Sequence, residues 1–316
     1  METALQITGR LEGIGNIASD GRPILGLDSR DLLEIVLESS SDAFLVPAHI
    51  WTPWFSVLGS KSGFDSIDAC FGDLVGEIFS VETGLSSDPA MNWRLSALDR
   101  YTLMSNSDAH SAAKVGRESN RFDCEPSFGS IKESLRNGKG RGFLGTIEFF
   151  PEQGKYHLDG HRKCRCRMMP AETIDKGGVC PVCGKKVTVG VMSRVEALAD
   201  RPEGEEPPNP FPYDRLVSLA EVVGEVKGKG PQTKGVQQVC QQLLQQLGPE
   251  LAILTRVPLE EIERTGGKVL AEGIRRMRQA EVRVEEGYDG EFGIVKLFQP
   301  GERAELEGQM ALEGLT

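Results

Sequence analysis

Four residues near the middle of the chain have the types and the spacing of a zinc site. They are His161, Cys164, Cys180 and Cys183. In each pair two residues separate the ligands, so a tight turn can point both side chains at one ion, and Zn²⁺ favours such a tetrahedral set of nitrogen and sulfur. Four protein ligands leave no open position, so we predict a structural site. His157 and Cys166 are alternatives for the fourth ligand.

One alternative is that Cys180 and Cys183 are exposed thiols near surface histidines, and a weaker one is that they form a redox pair. Redox Cys-x-x-Cys pairs usually open a helix in a thioredoxin-like setting, which the pattern here does not suggest. The chain has seven cysteines, an odd number, and four of them lie within twenty positions. This clustering favours a metal site in a reducing compartment over a disulfide framework.

A second candidate site combines an aspartate and a histidine two residues apart, Asp108 and His110. On a strand such residues point to the same side, and a carboxylate with an imidazole is a normal ligand pair for Zn, Mn or Fe. His49 and Glu82 also lie at or near predicted strand ends. The alternative is that all four are satisfied polar residues on loops, with Asp108 capping a helix that begins near Ser111.

The elements that must position these residues alternate between strands and helices. Apolar runs predict strands at 42–49, 77–85 and 102–110, and amphipathic patterns with cap residues predict helices at 28–38 and 92–100. This alternation favours a parallel α/β sheet or barrel, in which functional groups gather at the carboxyl ends of the strands.

The second half of the chain has a different character. The Pro-rich stretch 201–212 predicts a linker, and helical patterns follow it. Two helices flank a Gly-Gly turn at 266–267, and a basic Gly-rich turn spans 228–235. The two helices and the Gly-Gly turn between them look like a helix-hairpin-helix that binds DNA phosphates, with a plain helical hairpin as the alternative. The candidate contacts are Lys268, Arg275 and Arg276.

The formal net charge of −11 argues against indiscriminate nucleic-acid binding, but the charge is uneven. Residues 155–194, which include the candidate zinc ligands, contain nine basic and three acidic residues. The N-terminus lacks a signal-peptide pattern, and no apolar run is long enough to span a membrane. We therefore expect a cytoplasmic protein without a membrane partner. The absence of a GxxxxGK[ST] motif argues against an ATP-driven motor.

Several long strings resemble endonuclease Q, a DNA-repair nuclease of the polymerase-and-histidinol-phosphatase (PHP) superfamily. They include FLVPAHIWTPWFSVLGSKSGFDSI, ETGLSSDPAMNW, SNSDAHS and FLGTIEFFPEQGKYHLDGHRKC. The resemblance implies a distorted (β/α)7 barrel with active-site Mg²⁺, Mn²⁺ or Zn²⁺. It places His49, Asp108 and His110 on family motifs as metal ligands with catalytic roles, and Glu82 on none. GYDGEFGIVKLF resembles a tail shared with proteins labelled as UvrD-type helicases.

The resemblance also implies an activity, the nicking of double-stranded DNA 5′ of uracil, hypoxanthine, xanthine or an abasic site. The damaged base is then expected to flip into a pocket. Trp51, Trp54 and Phe55 can stack on nucleotides, or pack at the barrel mouth. Three further basic residues can meet phosphates, or form a solvated helix face. They are Lys114, Arg117 and Arg121.

The first superfamily motif, an H-x-H at the end of the first strand, does not occur in this sequence, since no histidine precedes His49. We therefore expect a partial barrel without its first strands, from an N-terminally truncated chain. Such a chain should be poorly active alone, and prone to aggregate unless a partner supplies the missing strands. Two rival functions are a zinc-containing, non-catalytic DNA-binding remnant and a small-molecule phosphoesterase. Replication or repair proteins as partners have no sequence signal.

These patterns predict five regions along the chain. They are a partial PHP barrel (1–150), a small zinc-ribbon module (151–200), a Pro-rich linker (201–213), a helical DNA-binding domain (214–298) and a flexible tail (299–316).

Overall fold

The computed structural model describes residues 2–19, 23–61, 63–138 and 141–306, and over these ranges the chain is a mixed α/β protein, as predicted. The helices are α1 (Glu2–Glu12), α2 (Ser29–Ser39), α3 (Ile67–Phe71), α4 (Pro89–Trp93), α5 (Phe128–Asn137), α6 (Pro170–Asp175), α7 (Val191–Leu198), α8 (Leu219–Lys227), α9 (Lys234–Leu247), α10 (Glu250–Thr255), α11 (Leu259–Gly266) and α12 (Lys268–Arg278). The strands are β1 (Ser80–Glu82), β2 (Thr102–Met104), β3 (Ser119–Phe122), β4 (Phe143–Glu148), β5 (Asp159–His161), β6 (Cys166–Met168), β7 (Tyr213–Arg215), β8 (Arg283–Glu285) and β9 (Ile294–Lys296).

The strands of the described ranges form four small sheets. β1 and β2 pair in parallel, and β4 lies between an antiparallel β3 and a parallel β7. The pairs β5–β6 and β8–β9 are antiparallel. The parallel pairing of β1 with β2 agrees with the sequence pattern and brings the ends of both strands to one edge. The barrel and its inserted zinc ribbon stay predictions.

Residues 42–49 do not form the predicted strand. Pro47 has no N–H to donate, and His49 has a left-handed backbone (φ 48), which ends the extended conformation. The segment still runs beside β1, because the Glu82 N–H donates to the Pro47 carbonyl at 3.0 Å and the Ile50 N–H donates to the Glu82 carbonyl at 3.2 Å. His49 therefore lies beside the end of β1.

One of the two predicted N-terminal helices is confirmed. α2 matches 28–38, and the Asp28 side chain caps it by accepting the Arg30 N–H at 2.8 Å. The helix predicted at 92–100 is wrong, since α4 ends at Trp93 and only a short 3-10 turn follows. Asn92 does not cap a helix, because it is buried and its side-chain oxygen accepts the indole N–H of Trp51 at 2.8 Å.

Two large hydrophobic cores hold the chain together. The first includes Leu33, Trp51 and Val81, together with Val195 from α7. The second combines α8 to α12 with β9 and includes Phe150. Helix α7, which the sequence assigns to the zinc module, therefore packs on the core of the first half.

The C-terminal part contains the predicted helices, with α11 and α12 on either side of the Gly-Gly turn. It also contains the β8–β9 pair, which the sequence analysis does not predict. The linker 201–212 has neither helix nor strand, and Phe211 packs edge-on against Phe143 with ring centroids 5.0 Å apart. Part of the predicted tail, 307–316, lies outside the described residues. Among those described, no helix has the length and apolar character that crossing a membrane requires.

Candidate functional site

The four predicted zinc ligands lie together, and their ligand atoms are all within 4.8 Å of one another. His161 ends β5, and Arg165 adopts a left-handed backbone (φ 50) in the turn to β6, so this hairpin presents the first pair. Nδ1 of His161 lies 3.4 Å from Sγ of Cys183. One nitrogen and three sulfurs are a donor set that fits Zn²⁺.

The turn around Cys180 presents the second pair. The Gly184 N–H donates to the Cys180 carbonyl at 2.8 Å, and the positive φ of Gly184 (+69°) suits this tight turn. Burial opposes ionisation of the Cys180 thiol, but the backbone N–H groups of Val182 and Cys183 lower its pKa to about 6. The thiolate binds metal, so the turn prepares this ligand. Neither alternative ligand, Cys166 or His157, belongs to the set of four.

A second polar group lies where β1 ends. Nδ1 of His49 is 2.8 Å from Oε2 of Glu82, and Nε2 of His49 is 3.6 Å from Oδ2 of Asp108. The side-chain amide of Asn106 donates to Oε1 of Glu82 at 2.8 Å. Burial favours protonation of Glu82, but the hydrogen bonds from His49 and Asn106 outweigh it and hold the pKa of this carboxyl below its ordinary value.

This geometry favours an orienting role for Glu82 over a ligand role. A carboxylate at Nδ1 of His49 keeps the proton there and leaves the Nε2 lone pair directed toward Asp108. Gly84 makes room for the ring, since a Cβ at this position would lie 2.6 Å from Nδ1 of His49. Two ligand atoms, each about 2.1 Å from one ion, lie about 3 Å apart. The 3.6 Å between Nε2 and Oδ2 is therefore close to what a shared divalent ion requires.

His110 is placed differently from what the spacing predicts. β2 ends at Met104, and Asp108 has a left-handed backbone (φ 43), so Asp108 and His110 do not lie on a strand and the period of two does not apply. The imidazole of His110 is exposed, and its Nδ1 lies 2.8 Å from the Asp108 carbonyl. Among the described residues, only the cluster of His161, Cys164, Cys180 and Cys183 brings three or more ligand atoms within 4.8 Å of one another.

A cavity of about 490 Å³ opens beside His49 and Asp108. This volume lies in the range of small-molecule sites, about 300–1,000 Å³. Buried His157 lines it, and burial lowers the pKa of this imidazole to about 4, so the ring is neutral at pH 7. The aromatic and basic residues of its wall come from three parts of the chain. They are Trp54, Phe55, Lys155, Tyr156 and Phe292.

The aromatic residues predicted to meet DNA separate into two groups. Trp51 is 0% exposed and belongs to the core, so its stacking role is wrong. Trp54 is 43% exposed, Phe55 is 69% exposed, and both line the cavity. No sequence pattern marks Lys155, Tyr156 and Phe292 as cavity residues, because they reach the cavity only through long-range folding.

The basic residues after Asp108 also differ in their surroundings. Lys114 is exposed at the end of a 3-10 turn. The Arg117 guanidinium donates to the Ser107 carbonyl at 2.9 Å. Arg121 forms an ion pair with Asp214 at 2.7 Å. Lys114 is therefore the best placed of the three to meet a phosphate.

In α12 the two predicted arginines are engaged within the chain. Arg275 pairs with Glu272 at 2.8 Å, and Arg276 pairs with Glu302 at 2.6 Å. These contacts offset their charge and favour a structural role. Lys268, at the start of α12, is exposed and lies beside the Gly-Gly turn.

The structure buries two acids, Glu118 and Glu148, near the end of β1. Glu118 directly precedes β3 and Glu148 ends β4, so they neighbour the paired residues Ser119 and Ile147. Burial, with the nearby charge of Glu148, raises the pKa of Glu118 to about 9, and burial raises that of Glu148 to about 8. The Thr83 hydroxyl donates to Oε2 of Glu148 at 3.1 Å. Burial therefore favours the protonated form of both carboxyl groups.

Comparisons with known proteins cover nearly all of these elements. A family described as the MJ0043 C-terminal domain matches residues 218–281. The uncharacterized protein MJ0043 of Methanocaldococcus jannaschii is 33% identical over 258 residues, which are 79% of this chain and 31% of MJ0043. The uncharacterized protein YqxK of Bacillus subtilis is 29% identical over 253 residues, 79% of this chain and 60% of YqxK. The chain thus spans less than two thirds of either relative.

Two crystal structures are closely similar. One is the lesion-specific endonuclease PfuEndoQ from Pyrococcus furiosus, with a TM-score of 0.83, 30% identity, and coverage of 93% of this chain and 72% of PfuEndoQ. The other is an endonuclease Q complex with a 27-mer duplex substrate that carries an abasic lesion at the active site. It has a TM-score of 0.80 and 30% identity, with coverage of 93% and 73%.

Proposed function

This chain belongs to the endonuclease Q family, and we propose on that premise that it acts on damaged duplex DNA. The proposed reaction is the hydrolysis of the phosphodiester 5′ of a deaminated base, such as uracil, hypoxanthine or xanthine, or of an abasic site. The observation that carries the proposal is the cavity of about 490 Å³ beside His49 and Asp108. It supports a pocket for an extruded nucleotide next to a candidate metal site.

Some residues around the cavity would bind the extruded nucleotide, and others would orient the candidate metal ligands. An extruded base is flat and apolar on its faces, and Trp54 and Tyr156, which pack edge to face with ring centroids 5.4 Å apart, form an aromatic wall on which it can stack. Its 5′ phosphate would then lie toward Asp108 and Nε2 of His49, which Glu82 orients. His110 stays a candidate ligand after a turn of its ring.

A divalent ion held by His49 and Asp108, whether Mg²⁺, Mn²⁺ or Zn²⁺, would lower the pKa of a bound water and offset the phosphate charge. The multi-ion cluster implied by the resemblance needs more ligands than these residues supply. We therefore expect weak cleavage by these residues alone.

Outside the cavity, exposed Lys114 and Lys268 are the proposed contacts to DNA phosphates. Phosphate contacts of this kind position a protein on DNA without reading sequence. The zinc cluster would stabilise the fold of the basic segment 155–194, because a closed set of four protein ligands is typical of a structural site.

The test is a nicking assay with end-labelled duplexes that carry uracil, hypoxanthine or an abasic site, in Mg²⁺ or Mn²⁺. We expect slow cleavage 5′ of the lesion that Asp108→Asn abolishes, while Asp42→Asn, an exposed control that does not line the cavity, leaves it unchanged. Cleavage of undamaged duplex at the same rate would contradict the proposal.

A second candidate, a protein that binds damaged DNA without cutting it, is favoured by one observation. Among the described residues no group of three or more ligand atoms surrounds His49 and Asp108. Lesion-specific binding without any metal-dependent nicking would select this candidate over the nuclease.

A further inference from the structure

Phe292 is an unusually exposed aromatic residue at the rim of the cavity. Its side chain is 75% exposed, and it lies in the loop between β8 and β9. Phe55 lies on the same rim, 69% exposed and with a left-handed backbone (φ 56), a conformation that bulky residues rarely adopt. Large aromatic side chains left in water beside a cavity are typical of a binding surface.

The loop that carries Phe292 is firmly held. Asp289 and Gly290, both with positive φ, form its tight turn, as Asp-Gly does in many hairpins. The Gly287 N–H donates to the Glu152 carbonyl at 2.8 Å, and the Gly293 N–H donates to the Gln153 carbonyl at 3.1 Å. These bonds fix both ends of the loop to the cavity wall.

The turn is also tied to the zinc module. The Asp289 carboxylate accepts the Arg162 N–H at 2.6 Å and the Thr188 hydroxyl at 2.5 Å. The Gly290 N–H donates to the Lys155 carbonyl at 2.8 Å. Phe292 is thus displayed by a rigid support, so little conformational entropy is lost when its ring contacts a ligand.

A positive charge lies beside the exposed ring. Nζ of Lys155 is 5.9 Å from the centroid of Phe292 and 5.6 Å from that of Tyr156. An exposed ring with a cation beside it suits DNA, because the ring can contact a base while the cation contacts a backbone phosphate.

We propose that Phe292 is a wedge that enters the base stack of duplex DNA in the space left by the extruded nucleotide. The proposal rests on the proposed function, because it requires a nucleotide in the neighbouring cavity. Extrusion leaves a gap in the stack, and an aromatic ring that fills it recovers the stacking and keeps the nucleotide from returning. Lys155 would lie beside a phosphate that flanks the gap.

The location of the ring favours a wedge over a base-binding role. A residue that grips the base should be buried within the cavity, as His157 is. Phe292 lies at the rim and points most of its ring to solvent, where the rest of the duplex would approach.

The test compares Phe292→Ala, Phe292→Trp and Ile294→Ala, an exposed control on β9 of the same hairpin that does not line the cavity. Affinity is measured for a uracil-containing duplex and for the same strand alone, with 2-aminopurine next to the lesion as a fluorescent reporter of unstacking. Unchanged melting temperatures verify that the variants fold.

Loss of one stacked ring weakens binding by about tenfold or more. We therefore expect Phe292→Ala to lose about tenfold in duplex affinity together with the fluorescence rise. Its affinity for the single strand, which has no stack to fill, should stay unchanged. Phe292→Trp and Ile294→Ala should keep the duplex affinity and the fluorescence rise of the unsubstituted chain.

Two outcomes overturn the wedge alone. One is an unchanged duplex affinity in Phe292→Ala, and the other is an equal loss for duplex and single strand, which would make Phe292 a base contact. If the original chain does not prefer the uracil duplex at all, the proposed function fails and the wedge fails with it.

Discussion

The candidate zinc cluster and the His49–Asp108 site are built in opposite ways. The candidate zinc ligands all come from one short segment, and their four ligand atoms lie within 4.8 Å of one another. His49, Glu82 and Asp108 come from three separate segments, and two of them have left-handed backbones. A closed set of ligands suits a structural role, whereas a partly exposed pair beside a cavity suits binding and chemistry.

The first prediction sharpens this comparison at the zinc cluster. Cys183→Ser should lose bound zinc and unfold the module, because structural zinc contributes folding free energy on the order of 10 kcal/mol. Zinc content by mass spectrometry and the unfolding transition are the measurements. Cys166→Ser is the matched control, and loss of zinc in that variant would show that the ligand set is misassigned.

A second prediction separates the core residues near the His49–Asp108 site from the residues that line its cavity. Trp51→Ala should destabilise the chain by about 3–5 kcal/mol, because a fully buried ring leaves a cavity behind. Trp54→Ala should destabilise the chain less than Trp51→Ala does, because the Trp54 ring is 43% exposed, and should weaken binding to damaged duplex. Denaturant unfolding and a binding titration measure both. Equal destabilisation of the two variants would contradict the assignment.

The buried acids near the end of β1 give a third prediction. Below pH 4.5 Glu148 is protonated in both the folded and the unfolded state. As pH rises from 4.5 to about 8 the unfolded chain releases this proton while the folded chain keeps it, so the free energy of unfolding falls. Above about 8 this fall ends.

Glu148→Gln should therefore reduce the loss of stability over this window, by on the order of 1 kcal/mol per pH unit. Urea unfolding at pH 5, 6, 7 and 8 measures it, with the exposed Glu260→Gln as control. A pH profile identical to that of the original chain would contradict the raised pKa.

The smallest expected effect concerns the ring of His49. Gly84→Ala and Gly72→Ala both place a Cβ at positive φ, a conformation that strains any residue other than glycine, but only the first would meet His49, at 2.6 Å from Nδ1. Gly84→Ala should therefore weaken Mn²⁺ binding about tenfold, as disturbed support of a metal ligand does. Gly72→Ala should not. Equal Mn²⁺ affinities would mean that His49 is not a ligand.

The two sites also differ in how far the sequence predicts them. The zinc set is predicted because its ligands lie in pairs at fixed spacing, so local geometry alone brings each pair together. Helix α2 is predicted for the same reason, since Asp28 caps it locally. Both features depend on contacts over a few residues.

The open site depends on contacts that spacing does not encode. Trp51 and Trp54 are three residues apart and look alike in the sequence, yet tertiary packing buries one and exposes the other. Phe292 reaches the cavity only because the β8–β9 loop hydrogen-bonds to residues 152–155. The left-handed backbones of His49 and Asp108 also have no sequence signal, because neither residue is glycine.

The most direct test of the account is the affinity ratio between a uracil-containing duplex and the matched undamaged duplex. It is measured with the full chain loaded with zinc, at one stated salt concentration. We expect at least a tenfold preference for the damaged duplex, with Trp54→Ala reducing it. Equal affinity for the two duplexes would contradict recognition of DNA damage by this chain.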